Sequence, residues 1–98
     1  MFDCMDRYAI HHHVLVIKDD IPKLSAENKR RVQKAIQRKL RDYPNTFGKP
    51  LKQALKHCRV LRVGDYRIVY RVRGPVVEIG AIIHRSSDYK SVRSRLSR

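Results

Sequence analysis

Arg59, Arg62, Arg67 and Arg71 fall in Arg59-Val60-Leu61-Arg62-Val63-Gly64-Asp65-Tyr66-Arg67-Ile68-Val69-Tyr70-Arg71-Val72, a stretch that otherwise reads as a β-hairpin. Gly64-Asp65 is a two-residue turn flanked by β-branched and aromatic residues. Counting outward from it sets Arg62 opposite Arg67, with Arg71 further along the same face. Like charges directly opposite one another destabilise a sheet. An anion between them removes that cost, and phosphate matches planar, permanently charged guanidinium groups best. Further on, His84-Arg85-Ser86-Ser87-Asp88-Tyr89-Lys90 supplies an imidazole, a guanidinium and a phenol. Histidine titrates near neutral pH, whereas tyrosine or lysine must be shifted far to act as a base. Together these groups could hold a phosphodiester and move protons around it.

Net charge supports an anionic partner. The 98 residues carry 23 Lys+Arg against 9 Asp+Glu, a formal charge of +14. Such an excess selects for polyanions, with nucleic acid ahead of an acidic protein and of an anionic membrane surface. No apolar run approaches the ~20 residues of a membrane span. The N-terminal Met1-Phe2-Asp3-Cys4-Met5-Asp6-Arg7 lacks the layout of a signal peptide. Cys4 and Cys58 form no CxxC pattern, so neither zinc nor a disulfide framework is expected, and a reducing cytoplasm is the expected compartment. His11 and His13 share one side of a strand, but nothing else offers third and fourth ligands, so no metal site and no cofactor are expected. The carboxylates show no cluster suited to two-metal chemistry, and the chain has neither a Walker-type loop nor a GxSxG elbow.

These groups need a scaffold, and the pattern predicts one α+β domain over residues 1–98. Tyr8 to His13 reads as a first strand, and Val14 to Leu24 as a short helical connection in which Pro22 either starts or ends a turn. Ser25 is an N-cap, with Glu27 in the first turn and Val32, Ala35, Ile36, Leu40 and Tyr43 at helical spacing up to Pro44. The hairpin continues through a second turn at Gly74-Pro75 into Val76–Ile83, giving an antiparallel meander with Arg71 against Glu78. The expected core face combines Tyr66, Ile68, Tyr70 and Val72 with Val77, Ile79, Ala81 and Ile83, under the N-terminal helices. The opposite face would carry Arg62, Arg67, Arg71, Arg73, Glu78, Gly80, Ile82 and His84. Tyr89, Val92 and Leu96 mark a short C-terminal helix, whose Arg85, Lys90, Arg93, Arg95 and Arg98 are expected to grip RNA.

Several segments, taken in order, carry a resemblance: Lys18-Asp19-Asp20-Ile21-Pro22-Lys23-Leu24, the following helix, Phe47-Gly48-Lys49-Pro50-Leu51, Leu61-Arg62-Val63-Gly64-Asp65-Tyr66-Arg67, and His84-Arg85 with Tyr89. Over residues 8 to 90 the chain resembles the RelE branch of the RelE/ParE toxin superfamily. The resemblance implies a fold related to microbial ribonucleases and a toxin of a type II toxin–antitoxin system, neutralised by an acidic antitoxin in a hetero-oligomer. It further implies metal-free cleavage of mRNA in the A site of a 70S-type ribosome. By this resemblance Arg67 is the phosphate-stabilising arginine, Arg85 the second arginine after the last strand, and Tyr89 the C-terminal tyrosine that stacks on a base or exchanges a proton. Arg59, Arg62 and Lys52 correspond to basic residues that orient the nucleophile, and histidine near His84 serves in some members. Arg71 and Lys90 complete the expected RNA-binding set.

The chemistry itself is defined. Attack of a ribose 2′-OH on the adjacent phosphorus needs a base, cations for the charge growing on the non-bridging oxygens, and an acid for the departing 5′-oxygen. Two other readings use the same scaffold: a ParE-like inhibitor of DNA gyrase, and a nucleic-acid-binding module without chemistry.

Overall fold

A computed structural model of the chain describes residues 8–43, 48–50, 58–87 and 95. Five strands form one sheet in the order β1-β5-β4-β3-β2, where β1 is Ala9–His12, β2 Lys49–Pro50, β3 Cys58–Val63, β4 Tyr66–Arg73 and β5 Val76–His84. The expected meander is β3-β4-β5. The first strand joins it in parallel, Ala9 facing Val76 and His12 facing Ile79. A parallel neighbour requires a crossover, and the helices between β1 and β2 supply part of it.

The first helical segment, α1, runs from Val16–Asp20 in wide π-type turns into a 3-10 turn, Ile21–Lys23. His13 starts it: its Nδ1 accepts the Leu15 N–H at 3.1 Å. Pro22 sits in the first positions of the 3-10 turn, where its missing N–H costs nothing. The second helix, α2, spans Ala26–Ala35 and continues in π-type geometry through Ile36–Leu40. Ser25 caps it, its Oγ accepting from Asn28 N–H at 3.2 Å.

The helices present Val16, Leu24, Val32, Ala35, Ile36 and Leu40 to one sheet face, where Leu61, Ile68, Tyr70, Val77, Ile79 and Ile82 close the core. Burying each of these larger side chains contributes roughly 1.5–3 kcal/mol. Ile82 belongs to this core and Ala81 does not, which reverses the expected parity. The reason is a bulge in β5. Val69 pairs with Ala81 while the next residue, Tyr70, pairs with Ile79, leaving Gly80 without an opposite number. One extra residue flips every side chain beyond it. Ala81 and Ile83 therefore lie on the arginine face, packing with Cys58, Val60 and Val69 in a second, smaller apolar cluster. The arginine face is not charged throughout, as the sequence pattern suggested. Its centre is apolar, and its charges lie towards the strand ends.

Candidate active site

Arg62 and Arg67 stand opposite each other across the β3–β4 hairpin, as the turn chemistry requires. The turn is tight because Gly64 adopts φ +59°, a conformation that L side chains avoid. Arg67 faces Ile83 on its other side. Arg85 is the first turn residue after β5, two beyond Ile83. Its backbone N–H donates to the Asp65 carbonyl at 2.8 Å, and its Nε lies 3.8 Å from Asp65 Oδ1. That pair is about two-thirds exposed on both sides, so it orients Arg85 without consuming much of its attraction for another anion. The hairpin tip and Asp65 thus bring Arg62, Arg67 and Arg85 to one end of the sheet.

Arg71 does not join them. Its Nε donates to Glu78 Oε1 at 2.6 Å, the cross-strand pair that the register predicts, and Arg73 approaches the same oxygen at 3.7 Å. Four residues of extended chain separate Arg71 from Arg67, about 13 Å, with Val69 between.

Arg59 is on the other side of the sheet, because it pairs with Tyr70 and alternates with Cys58 and Val60. Its guanidinium donates to the Gly48 carbonyl and hydrogen-bonds the buried Tyr70 hydroxyl. Burial pushes the Tyr70 phenol above its ordinary pKa, with Arg59 and the Gly48 backbone pulling in the opposite direction. A side chain at residue 48 would run into the Tyr70 ring, within 2.6 Å of Cζ, so glycine is required there. Arg59 therefore holds β2's approach to the sheet and points away from Arg62 and Arg67.

His84 is also across the sheet. The bulge pairs it with Tyr66, and the two rings meet edge to face at 5.4 Å. Its exposed ring accepts the Ser86 N–H at Nδ1, 3.2 Å, with Ser86 Oγ 2.8 Å away. The neutral ring accordingly carries its proton on Nε2, an assignment that follows from the hydrogen-bond network. Lys52, Tyr89 and Lys90 lie outside the described residues.

Two features escaped the sequence reading. Asp65 is a turn residue that also holds Arg85, and Gly80 marks the bulge. An isolated glycine inside a strand pattern is a known sign of a bulge, and that signal was present. Among the described residues no group of His, Cys, Asp and Glu could hold a metal ion. The Cys58 thiol is pushed up by burial, partly offset by Arg71, and is buried in the small apolar cluster. No described helix is long and apolar enough to cross a membrane.

A family profile described as "ParE toxin of type II toxin-antitoxin system, parDE" matches residues 7–89. The chain belongs to this toxin family. Solved structures agree with that placement in the RelE/ParE superfamily. The RelBE2 toxin–antitoxin complex of Mycobacterium tuberculosis contains a chain 26% identical, with a TM-score of 0.74 over 80% of this chain and 98% of its own. A mutant of the E. coli toxin RelE in the free state has the same fold at 18% identity, TM-score 0.73, covering 93% of the toxin described here and 95% of that chain. The YoeB–YefM complex from Staphylococcus aureus aligns at 17% identity and TM-score 0.59, over 80% and 97% of the two chains. No curated protein sequence gives a significant match. The chain is thus a toxin of a type II toxin–antitoxin system with a RelE-like α+β fold, and an antitoxin is its partner.

Proposed function

We propose that this toxin is an endoribonuclease that cuts mRNA in the ribosomal A site by metal-independent 2′-OH attack. The observation that carries the reading is the gathering of Arg62, Arg67 and Arg85 at the hairpin end of the sheet, with Arg85 steered by Asp65 rather than neutralised by it. Arg67 and Arg85 take the two non-bridging oxygens of the scissile phosphate, where charge grows as the 2′-oxygen attacks. Such preorganised donors act most strongly on that developing charge. Arg62, exposed and opposite Arg67, holds a neighbouring phosphate. Tyr89 stacks on a base or exchanges a proton, and Lys52 and Lys90 extend the RNA contact. His84, on the other side of the sheet and with Nδ1 engaged by Ser86, takes no part in the proton transfer. Arg59 and Arg71 support the sheet rather than the RNA.

A second reading, inhibition of DNA gyrase, is favoured by one observation: the matching profile is that of the ParE branch. Controlled expression separates the two. Under the nuclease reading growth stops, new mRNA 5′ ends appear at codon-linked positions, and they vanish when translation is blocked. Lost supercoiling or DNA breaks with intact mRNA would establish the gyrase reading in its place.

A further inference from the structure

We infer that the ion pair between Asp20 and Arg95 is a positioning device that fixes the Gly80 bulge, and that this bulge is what turns Arg85, rather than His84, towards Arg67. The functional half of the inference rests on the nuclease reading; the structural half does not.

The β5 edge shows why a device is needed. β1 ends at His12, and the last bond between the two strands runs from His13 N–H to the Ile79 carbonyl at 2.8 Å. Beyond it, no described strand lies alongside the Gly80 carbonyl and the Ile82 N–H. Unpaired buried backbone groups are costly. Asp20 of α1 accepts the Ile82 N–H on Oδ2 at 2.9 Å. Arg95 donates to the Gly80 carbonyl at 3.1 Å, and its two terminal nitrogens grip Asp20 at 2.7 and 3.2 Å. The side chains are only 9% and 7% exposed. The pair thus satisfies one polar group on each side of the bulge.

The hydrophobic pattern could not hold the register alone. Ala81, Ile82 and Ile83 are consecutive and apolar, so slipping by one residue exchanges Ile82 for Ala81 and Ile83 in the helix-side core. Register is weakly specified where both faces accept apolar side chains. Continuous pairing from Tyr70–Ile79 would set Arg67 against Ile82, bring His84 to its side and turn Arg85 away. In the observed register Arg67 meets Ile83. Arg95 is accordingly an internal latch and not one of the tail's RNA-gripping cations.

The test uses the full-length toxin, with Arg95→Met, Arg95→Lys and Asp20→Asn, plus deletion of Gly80 in the Arg95→Met background as a variant that needs no bulge to keep the register. Cross-strand NMR contacts report register: Arg67–Ile83 when bulged, Arg67–Ile82 when slipped. In Arg95→Met we expect slipped contacts, faster amide exchange at Ile82 and Arg85, and a fall in kcat of about a hundredfold, the order expected when a catalytic group is misplaced by ~1 Å. KM should stay within about twofold, and Arg95→Lys should recover part of kcat. Gly80 deletion takes out the extra residue, so unbroken pairing itself sets Arg67 against Ile83; added to Arg95→Met it should restore the Arg67–Ile83 contacts and most of kcat. Native Arg67–Ile83 contacts with unchanged kcat in folded Arg95→Met, or slipped contacts that persist in Arg95→Met after Gly80 is deleted, would overturn the inference. Wild-type protein that cuts no RNA would refute the nuclease reading alone, since the NMR contacts test the latch without it.

Discussion

Replacing Arg59 with alanine separates a structural arginine from a functional one. The change removes a charged donor from the Gly48 carbonyl, worth roughly 1.5–3 kcal/mol. It also takes a partner from a phenol at 0% exposure, for a further cost on the order of 1 kcal/mol. A loss of about 3 kcal/mol is therefore expected. For a 98-residue chain the unfolding entropy makes each kcal/mol worth about 5 °C, so Tm should fall by about 15 °C. Thermal and urea denaturation followed by circular dichroism measure this, alongside RNA cleavage at a temperature where the variant is folded. KM for RNA should be unchanged per folded molecule. A variant as stable as the wild type but with KM raised tenfold would show that Arg59 contacts RNA, and the inward assignment would fail.

Tyr70 adds a pH dependence. Its folded pKa is raised, so the stability it confers is complete below the unfolded value near 10 and is lost as pH rises through the folded one. Urea midpoints should drop above about pH 10, and less so in Tyr70→Phe. His12 works in the opposite sense: burial and neighbouring His11 lower its pKa, so stability held above the unfolded value near 6.5 is lost as pH falls through the folded one. His12→Gln should flatten that acid limb of the stability curve. Gly64→Ala places a side chain at φ +59° and should cost about 1 kcal/mol in denaturant titrations, with reduced cleavage because the turn sets Arg62 against Arg67. Cys58 should react with a thiol reagent only at the rate of unfolding, since the thiol is buried and its pKa raised.

Local chemistry made much of this toxin legible from its residues. The Gly64-Asp65 and Gly74-Pro75 turns fix their hairpins, so the Arg62–Arg67 opposition and the Arg71–Glu78 pair follow by counting. Ser25 announces the second helix through its hydroxyl. Counting fails where the chain gains a residue without a partner. Past Gly80 every assignment reversed, moving Ala81 and Ile83 out of the helix-side core and His84 away from the arginines. The inward contacts of Arg59 have no local signature either: its partners, Gly48 and Tyr70, are eleven residues away in either direction. The Asp20–Arg95 pair spans 75 residues and has no local signature. The parallel addition of β1 likewise depends on a crossover whose path short-range signals do not specify.

The central claim is that guanidinium groups from neighbouring strands and the following turn stabilise one phosphodiester as it is cleaved. Single-turnover cleavage of an A-site codon on programmed ribosomes, comparing wild type with Arg67→Ala at matched fold stability, tests it most directly. The expected result is a rate constant lower by ~10²–10³, the loss typical of one preorganised oxyanion donor, with little change in ribosome binding. Equal rates for the two proteins would contradict the claim.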